Sequence, residues 1–216
     1  MTKAIQALVL TLMLPLAAIA QVTHVTLWEP LPGKSADMVA IANKAVQLHQ
    51  KLGAQSGAAL DTMGRLHFFM PFEDWASWGA YQSKMAESKE MQDFIRSYTV
   101  NPAAHQIESF MLDQPLSNIP RHVYNVFVWQ PFEGRSIELL ETALKAAAIH
   151  KKDGASVAVN TDQLGRVHYV MAFDSWEEWG AFQDSPSVPS VALMAEFQQN
   201  PSGKVVQTYM ARSLMQ

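Results

Sequence analysis

Polar and apolar side chains alternate over residues 23–28, which is the period of a strand with one buried face. Pro30, Leu31, Pro32 and Gly33 break that run, and Ser35 followed by Asp37 reads as an N-cap with an acidic first turn. From Met38 the apolar residues Ala42, Ala45, Leu48 and Leu52 recur at helical spacing. They predict the buried face of a helix that ends at Gly53 in a left-handed cap. Residues 57–60 and 66–70 then read as a strand pair joined through a turn at 61–64. After Phe72 one helix carries Trp75, Trp78 and Gln82, and another runs from Lys89 to about Tyr98. Asn101-Pro102 stops it, and residues 105–112 read as a closing strand.

The same order returns about a hundred residues later: a strand at 123–129, a helix at 137–152, strands at 156–160 and 166–173, helices at 175–183 and 188–199, and a strand at 204–211. Residues 26–82 and 127–183 match at 22 of 57 positions without a gap. The chain is therefore a duplication, with a first repeat over 21–113 and a second over 122–216. The proline-containing stretch 114–121 is the linker. Strand, helix, two strands, helices and strand make a ferredoxin-like unit, in which helices cover one face of an antiparallel sheet and the other face needs a partner. The expected class is α+β, with two tandem ferredoxin-like units packed sheet to sheet.

Residues 1–20 look different. Lys3, an apolar run at 7–17 that is too short to span a bilayer, and Ala18-Ile19-Ala20 read as a signal peptide cleaved after Ala20. The mature protein is then expected in the periplasm or secreted, with no membrane attachment. Losing Lys3 takes the formal charge from -4 to -5, which gives no electrostatic reason to bind nucleic acid. There is no cysteine, so stability rests on packing alone.

Both repeats carry Gly-Arg-x-His. Alternation places Arg65 with His67, and Arg166 with His168, on one strand face, opposite Leu66, Phe68 and Met70. If that face lines a cavity, the histidines are catalytic acid/base candidates and the arginines hold an anionic oxygen. Otherwise the motif is a turn with solvated charges. His49 and His150 end the long helices, where they can cap carbonyls or serve as cofactor ligands, for example to haem. The absence of HxH or HExxH spacing speaks against a tight zinc site. Trp75, Trp78, Trp176 and Trp179 are expected to pack on the sheets. Trp28 and Trp129 stand at strand ends, where they could stack on a ligand, and Tyr81, Tyr124 and Tyr169 offer polar tips to an apolar pocket.

The tandem pattern of strand, long helix, hairpin and Trp-bearing helix after the Gly-Arg-x-His strand resembles the dimeric α/β-barrel superfamily, and within it the antibiotic-biosynthesis-monooxygenase-like domains. The resemblance implies a monomer that acts as a pseudo-dimer around an intrachain barrel and takes a small-molecule ligand, with further oligomerisation open. Cofactor-free monooxygenases of that group use Asn, Trp and Tyr or Arg around an aromatic substrate. Haem-degrading relatives pair Asn and Trp with a helical His. Asn125, Trp129, Tyr169 and Arg166 supply such types in the second repeat, but the first has Thr26 opposite Phe127, and neither recipe aligns residue by residue. Three readings follow: a binder of a small apolar or aromatic molecule, which could oxidise it without a cofactor; a haem-binding protein; and a non-catalytic structural or interaction protein. The sequence names no cofactor.

Overall fold

The computed structural model describes residues 21–116 and 121–214; the expected signal segment lies outside them. The first repeat contains β1 (Gln21–Pro30), α1 (Ser35–Lys51), β2 (Gly57–Asp61), β3 (Leu66–Phe72), α2 (Trp75–Glu87), α3 (Lys89–Val100) and β4 (Ala104–Leu116). The second contains β5 (Val123–Pro131), α4 (Ser136–Lys152), β6 (Ser156–Asp162), β7 (Val167–Phe173), α5 (Trp176–Asp184), α6 (Val188–Gln199) and β8 (Gly203–Ser213). Each element falls where the pattern predicts it. β4 runs on to Leu116, into the segment read as linker, because Leu116 pairs with Val159 of β6.

The eight strands close into one barrel in the order β1-β3-β2-β8-β5-β7-β6-β4. Each repeat contributes four of them. The two seams are β2 with β8 and β4 with β6, so each repeat's edge strand hydrogen-bonds to the other repeat. Closure removes the exposed sheet edges that two separate units would carry.

Each sheet therefore has an inner and an outer face. Leu66, Phe68 and Met70 of β3 pack outward with Met38 and Ala42 of α1 and Val22 of β1 in one core. Val167, Tyr169 and Met171 of β7 do the same with Leu139, Ala143 and Ala147 of α4. Inside the barrel a separate cluster joins Val25, Leu27 and Leu112 with Phe69 and Phe110. Gly57 makes room there: a Cβ at that position would lie 2.5 Å from the Phe69 ring, which would have to shift.

Two local expectations are corrected. Ser35 does not cap α1. Lys34 is the N-cap, with no side-chain cap bond, and its ammonium reaches Asp37 at 2.8 Å instead. Trp75 and Trp176 do not pack on the sheets but remain 44% and 39% exposed. They occupy the first position of α2 and α5, one turn before Trp78 and Trp179, which do pack on the core.

Candidate functional site

The Gly-Arg-x-His strands present their histidines to the barrel interior. His67 stacks on Tyr209 of β8, two strands away, with centroids 4.3 Å apart; His168 meets Phe110 of β4 at 4.9 Å. Each histidine is held by an aspartate from the preceding strand. Asp61 Oδ1 accepts the backbone N–H groups of Met63 (2.8 Å) and Arg65 (2.9 Å), and its Oδ2 lies 3.0 Å from His67 Nε2. Asp162 repeats this with Leu164 (2.9 Å), Arg166 (3.0 Å) and His168 (2.9 Å), and also accepts Arg166 Nε at 2.6 Å. Gly64 and Gly165 turn the chain at φ +83° and +73°, a conformation that favours glycine. The unit is thus Asp-x-x-Gly-Arg-x-His, a hairpin clasp placed at each seam: Thr62 N–H donates to Met210 O, and Met111 N–H to Gln163 Oε1. Burial alone would raise the Asp162 carboxyl, but hydrogen bonds from His168 and Arg166 outweigh it and bring it down to about 2.

The two clasps differ. Arg166 continues to Glu108 of β4 at 2.8 Å. By the duplication the partner of Glu108 in β8 is Gln207, and Arg65 turns instead toward Glu29, at 3.7 Å.

The other candidates lie on the outer faces, beneath the helices. In the first repeat a cavity of about 280 Å³ opens between β1, β3 and the helices α1, α2 and α3. His24, Thr26 and Trp28 of β1 form its floor, His49 and Met38 its α1 side, and Met91, Phe94 and Tyr98 its α3 side. His49 is buried and its Nδ1 is hydrogen-bonded to the Tyr81 hydroxyl of α2. Burial, and then the neighbouring His24, lower His49 to about 4, and burial pushes Tyr81 up to about 12. At neutral pH both groups are therefore uncharged; with the Tyr81 O–H donating to Nδ1, Nε2 carries the ring proton, and among the described residues no group bonds it. Trp28 donates its indole N–H to Thr26 Oγ1 at 2.9 Å, and His24 Nε2 meets Ser109 Oγ at 3.0 Å while its Nδ1 is buried without a partner among the described residues. Among the described residues, no Lys, Arg, Asp or Glu lines this cavity.

At the matching place in the second repeat the chain's own side chains take these roles. Phe127 stands where the first repeat has Thr26 and packs against the core. His150 Nδ1 is bonded to the Tyr169 hydroxyl at 2.7 Å, and its Nε2 lies 3.0 Å from Ser190 Oγ. Ser190 matches Met91, since Ser88 and Ser187 cap α3 and α6 identically. The phenol itself has changed element: Tyr81 with Phe68 in one repeat becomes Phe182 with Tyr169 in the other. Trp129 packs edge-on against Phe197, 5.2 Å away, as Trp28 does against Tyr98 at 6.0 Å in the first repeat.

The structure thus divides the predicted residues into three groups. His67, His168 and Arg166 are inside the barrel, whereas Arg65, on the same side of its strand, is 27% exposed and pairs with the exposed Glu29. His49 and Trp28 share the first cleft, and His150, Trp129, Asn125 and Tyr169 belong to the second. Because a strand's faces alternate, His67 cannot act on a ligand held by His49. His24, Asp61 and Asp162 were missed as site residues. Alternation already places His24 on the side of Thr26 and Trp28, and both aspartates recur at the duplication offset.

No protein-family model and no curated protein sequence matches the chain. Solved structures do. A candidate monooxygenase from Fusobacterium nucleatum superposes with a TM-score of 0.66 at 10% identity, over 91% of this chain and 92% of that one. An anthrone oxidase-like protein gives 0.60 at 14%, over 90% and 92%. A haem-binding protein from Thermus thermophilus gives 0.53 at 8%, over 90% and 91%. The shared fold is the dimeric α/β barrel, here closed within a single chain.

Proposed function

We propose that the first repeat binds a small, uncharged, largely aromatic molecule in the cleft between its sheet and helices, with a ligand oxygen accepting a hydrogen bond from His49 Nε2. The observation that carries this reading is the second repeat. There Phe127 supplies a ring beside Trp129's strand face, and Ser190 supplies an oxygen to His150 Nε2. The first repeat has the smaller Thr26 in place of the Phe127 ring, and the apolar Met91 in place of the Ser190 hydroxyl, so a cavity opens there and His49 Nε2 meets no such oxygen among the described residues. One copy fills its site with its own side chains; the other is left for a ligand.

Size and charge narrow the class. About 280 Å³ is at the lower end of small-molecule sites, which run from roughly 300 to 1,000 Å³. Lined without a charged side chain, and with both histidines lowered by burial, the cleft would strand an ionised ligand without a counter-charge. Haem fits poorly for the same reasons: its two carboxylates meet no lining cation, and the volume is small. In the second repeat His150 is already engaged by Ser190 and Tyr169. Binding is better supported than turnover, because an imidazole held near 4 is a weak acceptor for the proton that a cofactor-free oxygenation must remove. The signal-like pattern of residues 1–20 supports export of the binding protein, and N-terminal sequencing of exported chain should then find Gln21 first.

Calorimetric titration with 2-naphthol, naphthalene and 2-naphthoate tests the reading. Naphthol should bind about five- to tenfold more tightly than naphthalene, the worth of one neutral hydrogen bond, and naphthoate most weakly. His49→Phe should erase the naphthol advantage. Tightest binding by naphthoate, or stoichiometric uptake of haemin with a Soret band, would overturn it.

A further inference from the structure

α3 and α6 are the same helix in the two repeats, yet their outer faces differ. On α3, Lys89, Glu90, Gln92, Asp93 and Arg96 face solvent, with Lys89 and Arg96 both paired to Asp93. The matching residues on α6 are Val188, Pro189, Val191, Ala192 and Ala195, all exposed. Val188 is 83% exposed, Val191 54% and Met194 51%. Glu196 is the one charged residue of this helix. A fold position solvated in one copy has become an apolar stripe in the other, and an exposed stripe of this kind marks an interaction surface.

The charges around the stripe indicate the occupant. α6 runs antiparallel to α4. Ser187, at its start, bonds Asp153, beside the exposed Lys151 and Lys152; at its end Arg135 bonds Asn200 and Pro201, beside Glu138, Glu141 and Glu196. With Asp153 and Asp184 the lysine end is neutral overall, and with Arg135 the glutamate end carries a net -2. Two α6 helices related by a two-fold axis perpendicular to them pack antiparallel, so Lys151 and Lys152 of each meet the acidic end of the other. Ala192 and Ala195 allow close approach along about 18 Å of helix. A two-fold interface must complement itself, and this one does. An anionic bilayer finds no lysine or arginine on the stripe. We infer that the α6 face is the contact between two copies of this chain.

Sedimentation velocity on the purified chain, from about 1 to 200 μM, reads the outcome. The native chain should pass from one copy to two across that range. Val191→Asp with Met194→Asp should weaken dimerisation by at least about a hundredfold, since four apolar side chains leave the contact in the symmetric pair. Lys152→Glu and Glu196→Lys should each weaken it and together restore it, with unchanged thermal melts showing that each variant folds. A chain that stays single at 200 μM, or a dimer indifferent to the aspartates, refutes the inference. Recovery of only a complex with another protein does so too.

Discussion

Thr26→Phe gives the first cleft the residue that the second repeat already carries. The ring would take up roughly 100 Å³ of cavity, worth about 2.4 kcal/mol at 24 cal/mol per Å³. Against this, Trp28 loses the Thr26 oxygen that its indole N–H meets at 2.9 Å, a loss of about 1–2 kcal/mol. The balance is a protein of near-native or slightly higher stability, with a melting temperature within about 4 °C of the parent. Binding should respond far more. An aromatic ligand buries roughly 150–250 Å², or about 4–6 kcal/mol of apolar contact; losing half of it raises the dissociation constant about 30- to 150-fold. Titration of 2-naphthol measures that change, and scanning calorimetry without ligand measures stability. Thr26→Ser, which keeps the Trp28 acceptor and adds no bulk, should bind like the parent. An affinity for Thr26→Phe within threefold of the parent would place the ligand elsewhere, and the argument from the filled second copy would fail.

Asp162→Ala strands the backbone N–H groups of Leu164 and Arg166 together with the Arg166 and His168 side chains, and should cost about 3–5 kcal/mol in urea unfolding. Asp61→Ala, without the arginine side-chain bond, should cost about 2–3 kcal/mol; the reverse order would contradict the clasp geometry. Burial, and then His24, hold His49 near 4 when folded, against 6.5 for the free group. Between those values the unfolded chain binds more protons, so stability is complete above pH 6.5 and falls as pH drops toward 4, by about 2–3 kcal/mol for this residue after allowance for screening. Melting temperatures of His49→Gln should decline less over that window than the parent's; parallel curves would clear His49 of the effect. Because both seams are hydrogen-bonded between repeats, calorimetry should show a single transition, and two separated peaks would mean that the repeats unfold independently.

Duplication, element order and helix-facing stripes were legible because they rest on local periodicity and on an offset visible within one chain. So was the separation of Arg65 and His67 from Leu66, Phe68 and Met70, which follows from the two-residue period of a strand. The same reasoning could not decide which strand face turns into the barrel, since that depends on β8 and β4 crossing to the other repeat's sheet. Nor could it show that Asp61 and Asp162 anchor the histidines, or that Tyr81 of α2 and Tyr169 of β7 do the same task from different elements. Trp75 failed as a core residue because helical spacing gives a face but not the depth at which a helix begins. The sequence by itself determined a twofold ferredoxin-like chain with paired histidines. Only tertiary structure decided that one pair faces the barrel and that, of the other, His150 is occupied by its own chain while His49 stays open, because occupancy depends on which side chains from distant elements share the space.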